Sequence, residues 1–325
     1  MSRVLGRHSR VFAFRELHFF EELWVPADHG RILQGGQALA LASRLMKNQD
    51  IGHHIAHDPR AFHQQATAFL ETQPERMDAA QLYAAYLQHH TEKNQKEIPL
   101  THTPRDLYYV QEILELYEGA RVIWMVRDPR AVLCSQKLRW RRPLWRTISP
   151  SRSEALRAWL NYHPITYGLL WRSAYRASAQ FADSPAVRVV SYERLVEDPG
   201  GQIASLLQWL GLMPEEGLLE VGRLGSSHHR DQVSEVGIDP EAVTRWRRSC
   251  LTTTEVFVCQ RLTRLEMLHS GYELEPVRPS PLRLVNCLAS WLPRSGAAFL
   301  LNLRRTRSQR LALRRRLSSW PAPRL

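Results

Sequence analysis

Acidic residues are missing from the end of this chain. After Glu275 no aspartate or glutamate occurs, and residues 278–325 carry eleven arginines and no lysine. Subtracting those eleven from the net charge of +12 leaves +1 for residues 1–277, so the body lacks the broad basic field of a nucleic-acid-binding domain. The tail alone would attract phosphate-bearing surfaces, membrane or RNA. Cysteine is also scarce. Cys134, Cys250, Cys259 and Cys287 form no CxxC pair and no regular spacing, which argues against a disulfide framework or zinc module and for a reducing compartment. No apolar run has the length of a membrane-spanning helix, and residues 1–20 lack the apolar core and cleavage site of a secretory signal. A cytoplasmic location follows as the expectation. The pairs His53/His57 and His89/His90 have no third ligand at a sensible spacing, so they read as surface histidines and no metal is expected.

What is present is a chain of 325 residues, 44% of them hydrophobic, long enough to bury a substantial core. Periodicity predicts a short strand at 11–14 and a helical segment through ELHFFEELW, then a helix over GGQALALASRLMKN and two more within 59–93. The segment EIPLTHTPRDLYYVQEILELY reads as a short strand, a turn ending at Pro104 and an amphipathic helix. ARVIWMVRD has the apolar, β-branched character of a buried parallel strand between helices. Downstream, Pro164 should kink or break a long helix, and AVRVVSYERLVEDPGGQIASLLQWLGL should run strand, loop and helix, closed near Gly211. Alternating strands and helices imply a three-layer α/β fold with a central parallel sheet. Composition shifts at EPVRPSPLR, which divides residues 1–277 from a basic extension, 278–325. That extension is only imperfectly amphipathic, because Arg310 interrupts a face of Phe299, Leu303, Leu313 and Leu317.

The cations of RVIWMVRDPRAVLCSQKLRW, residues 121–140, need a reason. Arg127 closes the predicted strand, at the sheet edge where open α/β folds bind ligands. Asp128 and Pro129 suit the cap and first turn of the next helix, on which Ser135 and Arg139, four apart, share a face. Arg127, Ser135 and Arg139 would then converge on one small anion, a phosphate fitting well; the alternative is a solvated helix face with salt bridges.

This run resembles the 3′-phosphate-binding segment of sulfotransferases that use 3′-phosphoadenosine 5′-phosphosulfate, in which a strand-closing Arg is followed eight residues later by Ser. Arg139 falls where protein-tyrosine sulfotransferases place a further phosphate contact. VVSYERLVEDP resembles the family's next landmark, implying that Tyr192 lies beside the adenine; the alternative is a tyrosine packed at a strand end. GSSHHRDQVSEVGIDPEAVTRW is similar to the following loop and makes Ser226 or Ser227 a nucleotide contact, against ordinary turn chemistry. VFAFRELHFFEELW resembles the acceptor-facing segment, where Glu16 matches the glutamate used as base. His102, in LTHTPRDL, stands where related sequences usually have lysine; it would take the acceptor proton, steady the leaving group, or simply bond into its turn.

The resemblance covers about residues 3–275 and implies a P-loop-NTPase-like fold, the phosphosulfate as donor, no metal, and a carbohydrate, peptide or small-molecule acceptor bearing a hydroxyl or amine. RWRRPLWRTISPSRS, with Trp140 and Trp145, would line such a cleft or order when nucleotide binds. The chain departs from the family at its start. A PRSGTT-type loop, whose backbone amides wrap the 5′-phosphosulfate, is not found before the first helix, so the expectation is a misassigned start, an inactive relative, or a loop recovered from Pro293–Gly296. The competing function is an inactive nucleotide-binding remnant or a basic-tailed protein that docks on membrane or RNA.

Overall fold

A computed structural model describes residues 1–53, 55, 57–141, 152–223, 232–302 and 314–315. The chain divides into two compact units, one of residues 1–120 with 215–218, the other of residues 121–214 and 219–304.

The first unit opens with a one-turn helix α1 (Ser2–Leu5) and strand β1 (Val11–Ala13). Helices α2 (Gly35–Asp50), α3 (His63–Leu70) and α4 (Ala79–Lys93) follow, then β2 (Ile98–Leu100) and α5 (Val110–Leu116). β1 and β2 pair in parallel, Val11 opposite Ile98. α4 starts where the sequence supplies a reciprocal cap: Asp78 accepts from the Gln81 N–H at 2.9 Å and Gln81 accepts from the Asp78 N–H at 2.9 Å.

The main departure from expectation lies in ELHFFEELW, which is not an ordinary helix. The chain stays irregular after β1, His18 takes the left-handed conformation (φ 54°, ψ 35°), and Phe19–Leu23 make a single wide turn. A left-handed backbone costs a non-glycine residue about 1–2 kcal/mol. Burying Phe19 and Phe20 side by side offsets it, at roughly 1.5–3 kcal/mol for each ring. Phe19 stacks on Tyr83 at 4.0 Å between centroids, and Phe20 packs against Trp24 and Tyr109, so the core of this unit is an aromatic cluster closed by Leu45 and Leu82.

The second unit holds β3 (Val122–Val126), α6 (Pro129–Lys137), α7 (Arg152–Asn161), α8 (Pro164–Ala179), β4 (Val187–Ser191), α9 (Tyr192–Glu197) and α10 (Pro199–Leu210). A short antiparallel pair, β5 (Gly222–Arg223) and β6 (Gln232–Val236), leads to α11 (Glu241–Arg245), α12 (Thr253–His269) and α13 (Pro281–Asn302). β3 and β4 are parallel, from Val122 opposite Val187 to Val126 opposite Ser191. The sheet expected as one is thus seen as two parallel ladders, one in each unit. With a single strand neighbour among the described residues, β3 is half-buried along most of its length and only Val126 is fully buried.

Local predictions hold where the chemistry is strong. Pro164 opens α8, with His163 as its cap, and Gly211 closes α10 in the left-handed region at φ 71°. α8 crosses α12 closely because Gly168 has no side chain: a Cβ there would stand 3.1 Å from Leu262 Cδ1. The buried pair Arg176–Glu266, at 2.6 Å, ties the same two helices.

The cysteines depart from expectation. Cys134 on α6 is disulfide-bonded to Cys250, in the wide turn after α11, across 116 residues of chain. Their Cα atoms are 5.6 Å apart, inside the usual span of such bonds. Cross-links over long loops stabilise by about 2–4 kcal/mol. A dithiol reductant should therefore lower the melting temperature by several degrees, and a non-reducing digest should yield one linked peptide pair; separate thiols at both positions contradict the bond.

Candidate functional site

In the second unit the strand-to-helix junction after β3 is built as the sequence suggests. The Asp128 carboxylate accepts from the Arg130 N–H at 2.8 Å and caps α6, and Pro129 fills its first turn. Arg130 is structural: its guanidinium is buried, pairs with Asp128 at 2.7 Å, donates to Gln260 at 2.8 Å and lies 4.1 Å from the centre of Trp246. Arg121 donates to the Trp209 carbonyl. Lys137 pairs with Glu255 at 2.7 Å. Three of the cations in this stretch are therefore spent on the fold.

Arg127 is used differently. It sits just beyond β3, its guanidinium lies over the Tyr192 ring at 4.4 Å, and it donates to the Ala242 carbonyl at 2.6 Å. Its Nε is buried and has no hydrogen-bond partner among the described residues. Tyr192 opens α9 directly after β4, so the carboxyl ends of both parallel strands deliver one member of the pair. Glu193 fixes the two junctions, accepting from the Asp128 N–H at 2.9 Å and from the Tyr272 hydroxyl at 2.8 Å. Nothing in the sequence marked Glu193 beyond its place next to Tyr192.

Ser135 lies on the second turn of α6, half-buried. Arg139 does not continue that helix, as the spacing had suggested: α6 ends at Lys137, Leu138 is its cap, and Arg139–Arg141 form a tighter turn in which Arg139 is exposed. Ser226, Ser227 and Trp145 lie outside the described residues. Pro293–Gly296 fall inside α13, so they make no loop that could wrap a phosphate.

In the first unit the residues after β1 gather carboxylates round an imidazole. Glu16 Oε2 stands 3.3 Å from His18 Nε2, and Glu21 Oε1 stands 2.6 Å from His18 Nδ1. Arg105 closes the group, pairing with Glu21 at 2.9 Å. Burial alone would lower the His18 pKa, but the contacts with Glu16, Glu21 and Glu22 outweigh it and raise it to about 9. His18 is an imidazolium at neutral pH. His102 feels the Glu16 carboxylate and bonds the Phe14 backbone, yet the protein packed round its ring lowers its pKa, although the residue as a whole remains exposed. The structure thus puts both sequence candidates, Glu16 and His102, in one electrostatic neighbourhood and adds His18, Glu21 and Arg105. Ionisable residues set among aromatic ones inside a core-bound run, Glu16, His18 and Glu21 beside Phe19 and Phe20, were the available signal, since buried ionisable groups are rare without partners.

The histidines read as surface residues are mostly not. His90 packs between Phe14 and Tyr86, and burial pushes its pKa down to about 4. His53 is half-buried, 3.1 Å from Glu22 and stacked on His18 at 3.8 Å. His18, Glu22 and His53 bring ligand-type atoms within 4.8 Å of one another. A shared metal, however, must lie in both ring planes at about 2.0–2.1 Å from each nitrogen. Planes inclined by 30° at that stacking distance meet only on the order of 7 Å away, so the arrangement suits an ion-pair cluster better than a cation.

Asp106 completes the cluster. Burial of the carboxyl, then the field of Glu21, raises its pKa to about 8, against the pull of His18 and a hydrogen bond from Thr103. Because the folded pKa lies above the ordinary 3.8, the folded state holds its proton and loses stability as pH rises from about 4 through 8. Asp106→Asn should raise the melting temperature by several degrees at pH 9 and by about a degree or less at pH 4. Equal shifts at both pH values would show that Asp106 does not titrate as described.

Residues 1–216 match the model of a family described as the sulfotransferase family. Two solved structures are similar: the sulfotransferase domain of the Synechococcus PCC 7002 olefin synthase, at 19% identity and TM-score 0.49 over 84% of this chain and 90% of that one; and the sulfotransferase domain of the curacin biosynthetic pathway, at 17% identity and TM-score 0.47 over 84% and 93%. No curated protein matches the sequence. With a family match over about two thirds of its length, the chain belongs to the sulfotransferase family.

Proposed function

We propose that the chain transfers a sulfuryl group from 3′-phosphoadenosine 5′-phosphosulfate to a hydroxyl or amine. The observation that carries this reading is Arg127: a strand-end guanidinium laid on an aromatic ring, with one buried donor that has no partner among the described residues. Leaving such a donor unpaired costs about 1–3 kcal/mol, which a phosphate oxygen recovers. In this reading Arg127, Ser135 and Arg139 hold the 3′-phosphate, Tyr192 lies against the adenine, and Ser226 or Ser227 adds a contact from the following loop.

The reaction is an in-line displacement at sulfur. The acceptor oxygen or nitrogen forms the new bond to sulfur, the bond from sulfur to the bridging phosphate oxygen breaks, and that oxygen leaves with the electron pair as adenosine 3′,5′-bisphosphate. Glu16 receives the acceptor proton. The His18 imidazolium at 3.3 Å orients its carboxylate. His102, neutral at pH 7, is a second acceptor of protons beside it. Next to Glu22 a cleft opens, walled by Asp28, Arg31, Gln37 and Arg44. Its mixed charges suit a polyhydroxylated acceptor such as a carbohydrate better than a flat apolar one. A cytoplasmic site belongs to the sequence-based reading; the Cys134–Cys250 bond, which persists where thiols are kept oxidised, counts against it.

The test is release of adenosine 3′,5′-bisphosphate from the phosphosulfate donor in the presence of a sugar alcohol, a phenol or an amine. Acceptor-dependent release is expected. Binding of the bisphosphate without release under any acceptor would reduce the protein to a nucleotide-binding remnant, and absence of binding would overturn the reading.

A further inference from the structure

Helix α13 carries two unlike faces. One is docked on its own unit by polar contacts: the Trp291 indole donates to the Thr166 hydroxyl at 3.1 Å, Arg294 donates to the Trp159 carbonyl at 2.5 Å and lies over its ring at 4.2 Å, and Asn302 donates to Asn161 at 2.8 Å. The other is apolar and bare. Leu282, Val285, Leu288, Leu292, Phe299 and Leu300 are between 53 and 79% exposed. At 100° per residue these six fall within a sector of about 120°, the width of an amphipathic stripe, over a helix roughly 33 Å long. The face the sequence suggested shares Phe299 with this stripe; its other members, Leu303, Leu313 and Leu317, lie outside the described residues.

We propose that this stripe seats the protein on an anionic lipid surface, with the helix lying in the plane of the membrane. Three considerations select that partner. The helix stands in a stretch, residues 278–325, of eleven arginines and no acid, so whatever meets it must bring negative charge. A second copy would bring the eleven arginines of its own residues 278–325 and be repelled. RNA supplies phosphates but gains nothing from covering six aliphatic and aromatic side chains, whereas the boundary between headgroups and acyl chains offers both. Insertion stops at the interface, since no helix among the described residues is long and apolar enough to cross a membrane.

The experiment is sedimentation of the full chain with vesicles of phosphatidylcholine alone and of phosphatidylcholine mixed with phosphatidylserine, repeated with Leu288→Asp/Leu292→Asp and with Val285→Asp. Both positions of the double variant are more than half exposed, so unchanged melting temperatures are the control for folding. The expected result is binding to the mixed vesicles, weakened by salt and reduced about tenfold or more by either variant. Three results would overturn the proposal. One is no vesicle binding. The second is vesicle binding that the aspartates leave unchanged, which would assign it to the arginines alone, as RNA binding would be. The third is self-association abolished by the same variants in a protein that ignores vesicles.

Discussion

Arg127→Ala should lower the affinity for adenosine 3′,5′-bisphosphate by about 100- to 1000-fold, the loss expected when one side of a charge-assisted, forked contact is removed. The size of the effect follows from how Arg127 differs from its neighbours. Arg121, Arg130 and Lys137 each have protein partners. Removing them would disturb the fold first and any nucleotide only through it. Arg127 spends one donor on the Ala242 carbonyl but keeps a buried Nε with no partner among the described residues, and it lies over Tyr192. Arg127→Lys separates charge from geometry. It retains the positive charge but not the fork, so an intermediate affinity is expected, measurable by titration calorimetry. If Arg127→Lys binds as tightly as the parent, the site reads charge only and the two-pronged contact is wrong.

Glu16→Gln should reduce sulfuryl transfer by about 100- to 10,000-fold while leaving nucleotide affinity within a factor of about two, because the amide keeps the shape and loses the proton acceptor. The structure adds a readout that a bystander glutamate would not move. Glu16 is one of the carboxylates that hold His18 protonated up to about pH 9. Without it the imidazole resonance of His18 should titrate at a lower pH. The folded pKa of His18 lies above its ordinary 6.5, so the stability this contact supplies is full below about pH 6.5 and fades as pH rises towards 9. In the variant that decline should be shallower. An unchanged His18 titration would remove Glu16 from the cluster, and unchanged turnover would remove it from the chemistry.

The elements legible in the sequence are those whose local chemistry admits one reading. β3 is a β-branched run with a capping Asp-Pro behind it, β4 repeats the pattern, and the caps at Pro164 and Gly211 rest on residues with few alternatives. ELHFFEELW was misread because its apolar spacing fits a helix, while the aromatic partners that decide its path, Tyr83 and Tyr109, lie more than sixty residues away. The same distance hid the ion-pair cluster. Glu16 was found through resemblance and His18 stands two residues from it, but Arg105 and Asp106 join them only once β1 and β2 are paired. The bond between Cys134 and Cys250 has no local signature at all. Ser135 and Arg139 show the opposite error, in which a rule for continuous helices was carried one turn past the point where α6 ends.

The central claim is that the strand-end guanidinium recognises a 3′-phosphate on an adenine nucleotide. Calorimetric titration of the intact chain with adenosine 3′,5′-bisphosphate and with adenosine 5′-monophosphate isolates that one group. The account predicts at least about tenfold tighter binding of the bisphosphate, with the difference erased in Arg127→Ala. Equal affinity for the two nucleotides in the parent, or a preference for the bisphosphate that survives the loss of Arg127, would contradict it.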